Sequence, residues 1–482
     1  MCRRIIRTGY LLSLIAVLLM AHSARAQWLD VYRTRALAAD PAAAPLLQNT
    51  PCGPAPGDSP LALEDVIVQA ICANPQARKA WAAARAQAAA VGISESAYLP
   101  TLNATAGVER DTLSTTYNIN GFGQLDVPQN SSSRYAILNL SWVLFDFGKR
   151  NAQLRQAREL LAAANAEEDE ALQTVFFNAA QAYYSLRDAR AAVEAARQTE
   201  AIAQESLAEA TAKHEAGAGT LADELQAQTT YRRALLDRVG AEGDERSATG
   251  VLATSMGFNA NTPVQIIVTD PIPEYRDLVA GVDQLIEDAK ARQPKLMIAH
   301  ARYEAARANV DAVRAEGRPT IALVGDLARN NPSYQQEPGE LGTSISASHS
   351  STIGIQVTIP IFEGFASDYR VEQAQAKADA LEADLQDADL QVALDVWKSY
   401  QSLQTDDENL NNSAELLTDA QHSLDIARGR YKAGVGTFTE LLNAQTALAD
   451  AQKQRVQAVS QWHTSRLKLA ASLGNLGLWS IR

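Results

Sequence analysis

Past residue 26 the chain holds no run of about 18 apolar residues, the length a helix needs to cross a bilayer. Any membrane crossing must therefore be made by β-strands. Histidine is thin: His22, His214, His300, His349, His422 and His463 are scattered, and none forms an H-x-x-x-H or Cys/His cluster. That excludes the common metal sites, so no metal and no cofactor are expected. Gly217-Ala218-Gly219-Thr220 lacks the lysine and the spacing of a phosphate loop, and there is no G-x-S-x-G. Nucleotide binding and acyl hydrolysis have no footing, and no catalytic residue is assigned. Basic residues are outnumbered, 43 against 56 acidic, which excludes a nucleic-acid partner. The chain reads as a non-enzyme.

The start of the chain is the exception to its acidity. Arg3, Arg4 and Arg7 precede an apolar stretch from Tyr10 to Met20, and Ala24-Arg25-Ala26 follows. This is the pattern of a secretory signal with its A-x-A cut, giving a mature start at Gln27. No cysteine stands at the cut, so no lipid anchor is expected. Loss of Arg3, Arg4, Arg7 and Arg25 leaves 39 basic residues against 56 acidic, a net charge of −17. Export removes Cys2 and leaves Cys52 and Cys72, which an oxidising compartment would pair; two unpaired buried thiols are the alternative.

The chain says nearly the same thing twice. Ala216, Gly217, Gly219, Thr220, Leu225, Ala227, Gln228 and Thr229 recur 217 positions later as Ala433, Gly434, Gly436, Thr437, Leu442, Ala444, Gln445 and Thr446. The register extends from Leu144-Phe145-Asp146 with Ile361-Phe362-Glu363 to Met256-Gly257 with Leu473-Gly474. Two tandem copies of one unit account for this. The expected organisation is a signal at 1–26, an N-terminal extension at 27–60, repeats at 61–257 and 278–474 around a linker at 258–277, and a tail at 475–482.

Within each copy an alanine-rich helical stretch, broken at Asn74-Pro75 and at Gln293-Pro294, gives way to period-two alternation. Strands are expected at about 100–109, 134–145, 319–327 and 351–361, with Leu138, Leu140, Ile355 and Val357 on the apolar side. Apolar-out, polar-in strands of about ten residues suit a transmembrane barrel. Proline-free stretches then run over 149–213 and 366–432, each a helical rod of roughly 100 Å. Leu403, Leu410, Leu417 and Leu424 mark a heptad seam. The glycine pairs Gly217/Gly219 and Gly434/Gly436 are expected to supply left-handed caps to tight turns near 213–223 and 430–440, with Thr220 and Thr437 capping the returning helices. Four strands cannot close a barrel, whereas two chains would bring eight and three would bring twelve.

These features resemble the TolC-like outer membrane factor family over nearly the whole mature chain. The resemblance rests on the duplicated A-G-x-G-T-x-x-[DE] tips, the strand exits Leu144-Phe145-Asp146-Phe147-Gly148 and Pro360-Ile361-Phe362-Glu363-Gly364-Phe365, and Asn74-Pro75. It implies an α+β membrane protein: a homotrimer with a 12-stranded barrel, four strands per chain, set in outer-membrane lipid. A long periplasmic α-helical coiled-coil tunnel continues it. Partners would be a periplasmic adaptor protein and an inner-membrane pump, an ABC exporter or a proton-driven one. Extracellular loops would lie near 110–133 and 328–350. The adaptor-docking tips map to Ala216, Gly217, Ala218, Gly219, Ala433, Gly434, Val435 and Gly436, for which a plain helix turn is the competing role. Asp223, Glu440 and Asn443 map to the pore constriction, and for the two acids favouring a helix N-terminus competes. The cargo divides between polypeptides in type I secretion and small toxic molecules or metals in efflux, and the Cys52/Cys72 pair with Ile71-Cys72-Ala73-Asn74-Pro75 favours secretion. A periplasmic coiled coil without a pore is the reading of another class; it leaves the alternating strands unexplained.

Overall fold

The computed structural model describes residues 30–38, 52, 59–121, 123–267, 281–330 and 348–477. The signal, most of the expected N-terminal extension, much of the linker and the end of the tail lie outside these. The chain divides into two compact units, one of residues 1–37, 87–161 and 302–382, the other of 38–86, 162–301 and 383–482.

In chain order the elements are α1 (Leu63–Ala73), α2 (Pro75–Ser96), β1 (Thr101–Ile119), β2 (Gly123–Phe145), α3 (Lys149–Glu215) and α4 (Leu221–Ser255). There follow α5 (Val282–Arg292), α6 (Pro294–Glu316), β3 (Thr320–Asn330), β4 (Ser348–Thr358), α7 (Ala366–Lys432) and α8 (Phe438–Ser472). Pro75 and Pro294 each occupy the first position of a new helix, where a missing N–H costs nothing. Asn74 ends α1 and its Oδ1 accepts from Gln76 N at 2.8 Å. No helix among the described residues is long and apolar enough to cross a membrane.

The first unit carries a four-stranded antiparallel sheet in the order β1-β2-β3-β4. Its register sorts the residues by face. Leu102 pairs with Leu140, Leu140 with Gly325 and Gly325 with Ile353; the row below joins Trp142, Leu323 and Ile355. Asn103 pairs with Asn139 and Asn139 with Asp326, and on the same polar face Ala322 pairs with Gln356. One face is thus apolar and the other polar, as an outer-membrane stave requires. In the chain alone Ile353, Ile355 and Val357 are 74%, 69% and 54% exposed, a surface that water does not favour. On the polar face the Tyr135 ring covers Gly107, where an added Cβ would come within 2.6 Å of it.

Two expectations for the strands are corrected. Among the described residues, 110–133 form no irregular loop: β1 and β2 stay paired from Thr101↔Ser141 to Ile119↔Gly123, and the described part of β3 pairs with β2 up to Tyr135↔Asn330. The paired hairpin therefore runs on past the described ends of β3 and β4, stitched by Ser133 Oγ donating to Glu109 at 2.7 Å and by Thr116 donating to Asp126. Ile359 and Ile361 lie beyond β4, which stops at Thr358, because Pro360 has no N–H to donate and restrains the residue before it. The other expected loop falls largely on 331–347, outside the described residues.

Both strand exits turn through left-handed backbone. Phe147 and Gly148 have φ of 53° and 94°, and Gly364 and Phe365 have 64° and 66°. Asp146 fixes the first corner, accepting from Arg150 N at 3.0 Å and Arg150 Nε at 2.8 Å. Lys149 pairs with Glu316 at 3.0 Å and Arg155 with Asp311 at 2.8 Å, tying the start of α3 to α6.

The second unit is helical and packed on alanine and aromatic residues. Val66, Ile67 and Ile71 of α1 are fully buried against Phe176, Ala180 and Tyr183 of α3 and Leu252 of α4. A parallel bridge joins Leu61 to Ile266, and Tyr183 Oη donates to Ile267 O at 2.6 Å. Cys52 and Cys72 are joined, their Cα atoms 5.9 Å apart. Leu403 and Leu410 of α7 pack on Trp462 and Leu469 of α8, and Leu424 continues the heptad into a core near the helix ends.

Candidate functional site

The two helical turns, at α3/α4 and at α7/α8, are built alike. Gly217 N donates to His214 O at 2.9 Å and Ala218 N to Lys213 O at 2.8 Å; Gly434 N donates to Tyr431 O and Val435 N to Arg430 O, both at 3.1 Å. This double bond pattern closes a helix with its last residue left-handed. Only Gly217 and Gly434 meet that description, with φ of 70° and 74°. Gly219 and Gly436 do not supply left-handed caps, as was expected of them; they permit a close crossing. A Cβ there would lie 3.0 Å from Lys213 Cβ and 2.9 Å from Arg430 Cβ respectively. Thr220 Oγ1 then accepts from Asp223 N at 3.1 Å and Thr437 Oγ1 from Glu440 N at 3.2 Å, starting α4 and α8.

Ala216, Gly217, Ala218, Ala433, Gly434 and Val435 are exposed at these ends, and Gly219 and Gly436 are half-buried. Each end thus presents a small, uncharged, solvent-facing knuckle. Asp223 accepts from Thr220 Oγ1 at 2.8 Å, and Glu440 faces Arg430 at 3.6 Å with both half exposed. Each acid is engaged at its own turn. Asn443 lies exposed one turn beyond Glu440.

Sequence patterns alone missed how the two turns lean on each other. Lys213 sits 3.6 Å above the centroid of the Tyr431 ring and donates to the Tyr431 carbonyl. Burial, then the charges of Asp223 and Glu209, pushes the Tyr431 phenol above its ordinary range. Tyr431, Phe438, Leu441 and Leu448 close over Ala210 and Ala227 in a shared core. At its margin Gln445 Nε2 donates to Ser206 Oγ at 2.5 Å. The signal that could have found Gln445 was its recurrence as Gln228 in both copies.

Farther along α8, His463 packs rather than ligates. It is 4% exposed and stacks on Tyr184 with ring centroids 4.3 Å apart. Burial first, then the charges of Arg187 and Arg466, lowers its pKa to about 3. Among the described residues no group of His, Cys, Asp and Glu is placed to hold a metal.

The fold and the paired turns define a class, that of bacterial outer-membrane channels. The model of the outer membrane efflux protein family matches residues 66–257 and again 285–475, so the chain belongs to that family and its duplication is the family's own. Among relatives, Protein CyaE of Bordetella pertussis is 32% identical over 89% of this chain and 87% of its own. Outer membrane protein TolC of Escherichia coli is 24% identical over 86% of this chain and 82% of its own. Of solved structures, the Campylobacter jejuni CmeC outer membrane channel superposes with a TM-score of 0.74 at 18% identity, covering 86% of each chain. The outer membrane protein VceC of Vibrio cholerae does so with 0.71 at 20%, covering 86% of this chain and 96% of its own. The protein is thus an outer-membrane transport channel and not an enzyme, its strands in the outer membrane and its helices in the periplasm. The reading without a pore is set aside.

Proposed function

We infer that three copies assemble into one passive conduit and that its cargo is polypeptide, delivered by an inner-membrane ABC exporter through a periplasmic adaptor. The observation that carries the assembly is the sheet itself. It has an apolar face, a polar face and two free edges, β1 and β4. Free edges are not tolerated in lipid, and three copies close twelve strands.

The alanine and glycine ends at 216–219 and 433–436 suit docking by an adaptor, since they offer close approach without charge. In this reading Asp223 and Glu440, which start α4 and α8 after the same turns, would narrow the periplasmic mouth. For cargo, the Cys52/Cys72 link to α1 supports secretion, whereas some relatives are named for efflux or export. Those relatives favour the second reading: the efflux protein BepC of Brucella suis is 25% identical and the pyoverdine export protein OpmQ of Pseudomonas aeruginosa 26%.

Deleting the gene and comparing culture supernatants with drug and metal susceptibility separates the two. Loss of a secreted polypeptide with unchanged susceptibility is expected. Sensitisation to small toxic compounds with an unchanged supernatant would assign the channel to efflux.

A further inference from the structure

Inside one chain the second repeat is seated on the first by a small set of polar contacts at the periplasmic end. Gln445 of α8 donates to Ser206 of α3, both 8% exposed. Around them, Lys432 Nζ faces Glu205 at 3.7 Å and Lys213 covers Tyr431. Leu207, Ala210 and Ala444 pack beside the pair.

The duplication provides a second set of the same residues. At the 217-residue offset Ser206 becomes Ser423, Gln445 becomes Gln228, Leu207 becomes Leu424, Ala210 becomes Ala427 and Ala444 becomes Ala227. The polar pair is therefore identical in both copies, in the order donor on the returning helix, acceptor on the outgoing one. Yet Gln228 and Ser423 are both exposed in the single chain. A matched donor and acceptor, buried in one copy of a repeat and bare in the other, lacks only the next repeat.

We propose that Gln228 of one subunit donates to Ser423 of the neighbouring subunit, so that the contact sealing the two repeats within a chain is repeated across each subunit boundary. The occupant of this surface is a second copy of the chain, and the inference rests on the trimeric reading above. The flanking ion pairs carry over in part: Arg428, which also pairs with Glu205, has the uncharged Thr211 as its counterpart. The counterparts of Lys432 and Glu205 are Glu215 and His422, both exposed, which exchange sides while remaining a donor–acceptor pair. Arg430 and His214 stand where Lys213 and Tyr431 do. The boundary differs in its core: Tyr431, Leu441 and Leu448 have His214, Glu224 and Tyr231 as counterparts, and Glu224 is already taken up by His214 at 2.6 Å within its own turn. The contact between subunits is thus the more polar of the two.

The test uses the full chain in detergent, with Gln228→Cys and Ser423→Cys combined and a short bis-maleimide added without reductant. Most chains should run as covalent trimers on a denaturing gel, and each single variant should stay monomeric. A Ser206→Cys/Gln445→Cys variant treated alike should give only an internally linked monomer, which proves that the reagent spans this geometry. If light scattering reports a trimer and the internal control links, but Gln228→Cys/Ser423→Cys yields no covalent oligomer, the proposed boundary is wrong while the trimer stands. If the particle is no trimer at all, the reading beneath it fails as well.

Discussion

His463 is a titratable side chain placed where charge is refused. It lies 4% exposed against Tyr184 and Trp462, with Arg187 and Arg466 near enough to oppose protonation, and its pKa is lowered to about 3. In the unfolded chain it would titrate near 6.5. Between those values the unfolded state binds the proton and the native state does not, so stability is lost as pH falls from about 6.5 toward 3. Urea midpoints measured at pH 7.5 and pH 5 should show the wild type losing more on acidification than His463→Gln; equal losses would place the acid sensitivity elsewhere. A second expectation at this scale concerns Cys52 and Cys72. Maleimide labelling of the mature, unreduced, unfolded protein should give no signal, and two labelled thiols per chain would refute the link. Thr437, whose hydroxyl starts α8, should cost about 1 kcal/mol when replaced by alanine, read as a lowered denaturation midpoint.

At the scale of the element, strand register is the property most open to a single test. Ile355 pairs with Leu323 on the apolar face, and its neighbour Gln356 pairs with Ala322 on the other. Arginine at 355 should cost ~2–4 kcal/mol at mid-membrane depth and reduce assembled protein, while arginine at 356 should cost little. Greater damage from Gln356→Arg would shift the register by one residue and invert both faces. These strands were legible because burial on one side imposes alternation, and the rods because alanine, a heptad and missing proline all agree. The paired hairpin over 110–133 was not legible for the converse reason. Thr112, Ser114, Thr116 and Asn118 share one exposed face, so that face writes no apolar pattern, and Pro128 and the glycines at 121 and 123 read as loop. Its pairing is carried by backbone hydrogen bonds, which leave little trace in side-chain choice. The second glycine of each turn was misread for another reason: Gly219 and Gly436 answer to the close return of the chain over Lys213 and Arg430, six residues earlier in the same turn, whereas Gly217 and Gly434 answer to the rule for ending a helix.

For the whole molecule, the question is whether the two glycine turns only reverse the chain or also carry the partner. A turn needs its left-handed glycine and its crossing glycine, and both are present in each copy. It does not need Ala218 or Val435 to be small and uncharged, yet Val435 is held 68% exposed to water. An exposed apolar side chain between two constrained glycines is what the proposed docking role would use. Ala218→Asp with Val435→Asp leaves all four glycines and both threonine caps in place, so the turns should form and the trimer should reach the outer membrane. Export should nevertheless fall to the level of a deletion strain, because two buried, unpaired carboxylates per subunit would face the adaptor. The measurement pairs the amount of trimer in isolated outer membranes with the amount of cargo outside the cell. Normal export from a normally assembled double variant would remove docking from these ends. If the trimer itself were lost, the milder Ala218→Ser with Val435→Thr, assembled and compared in the same way, would decide whether export follows the polarity of the turns.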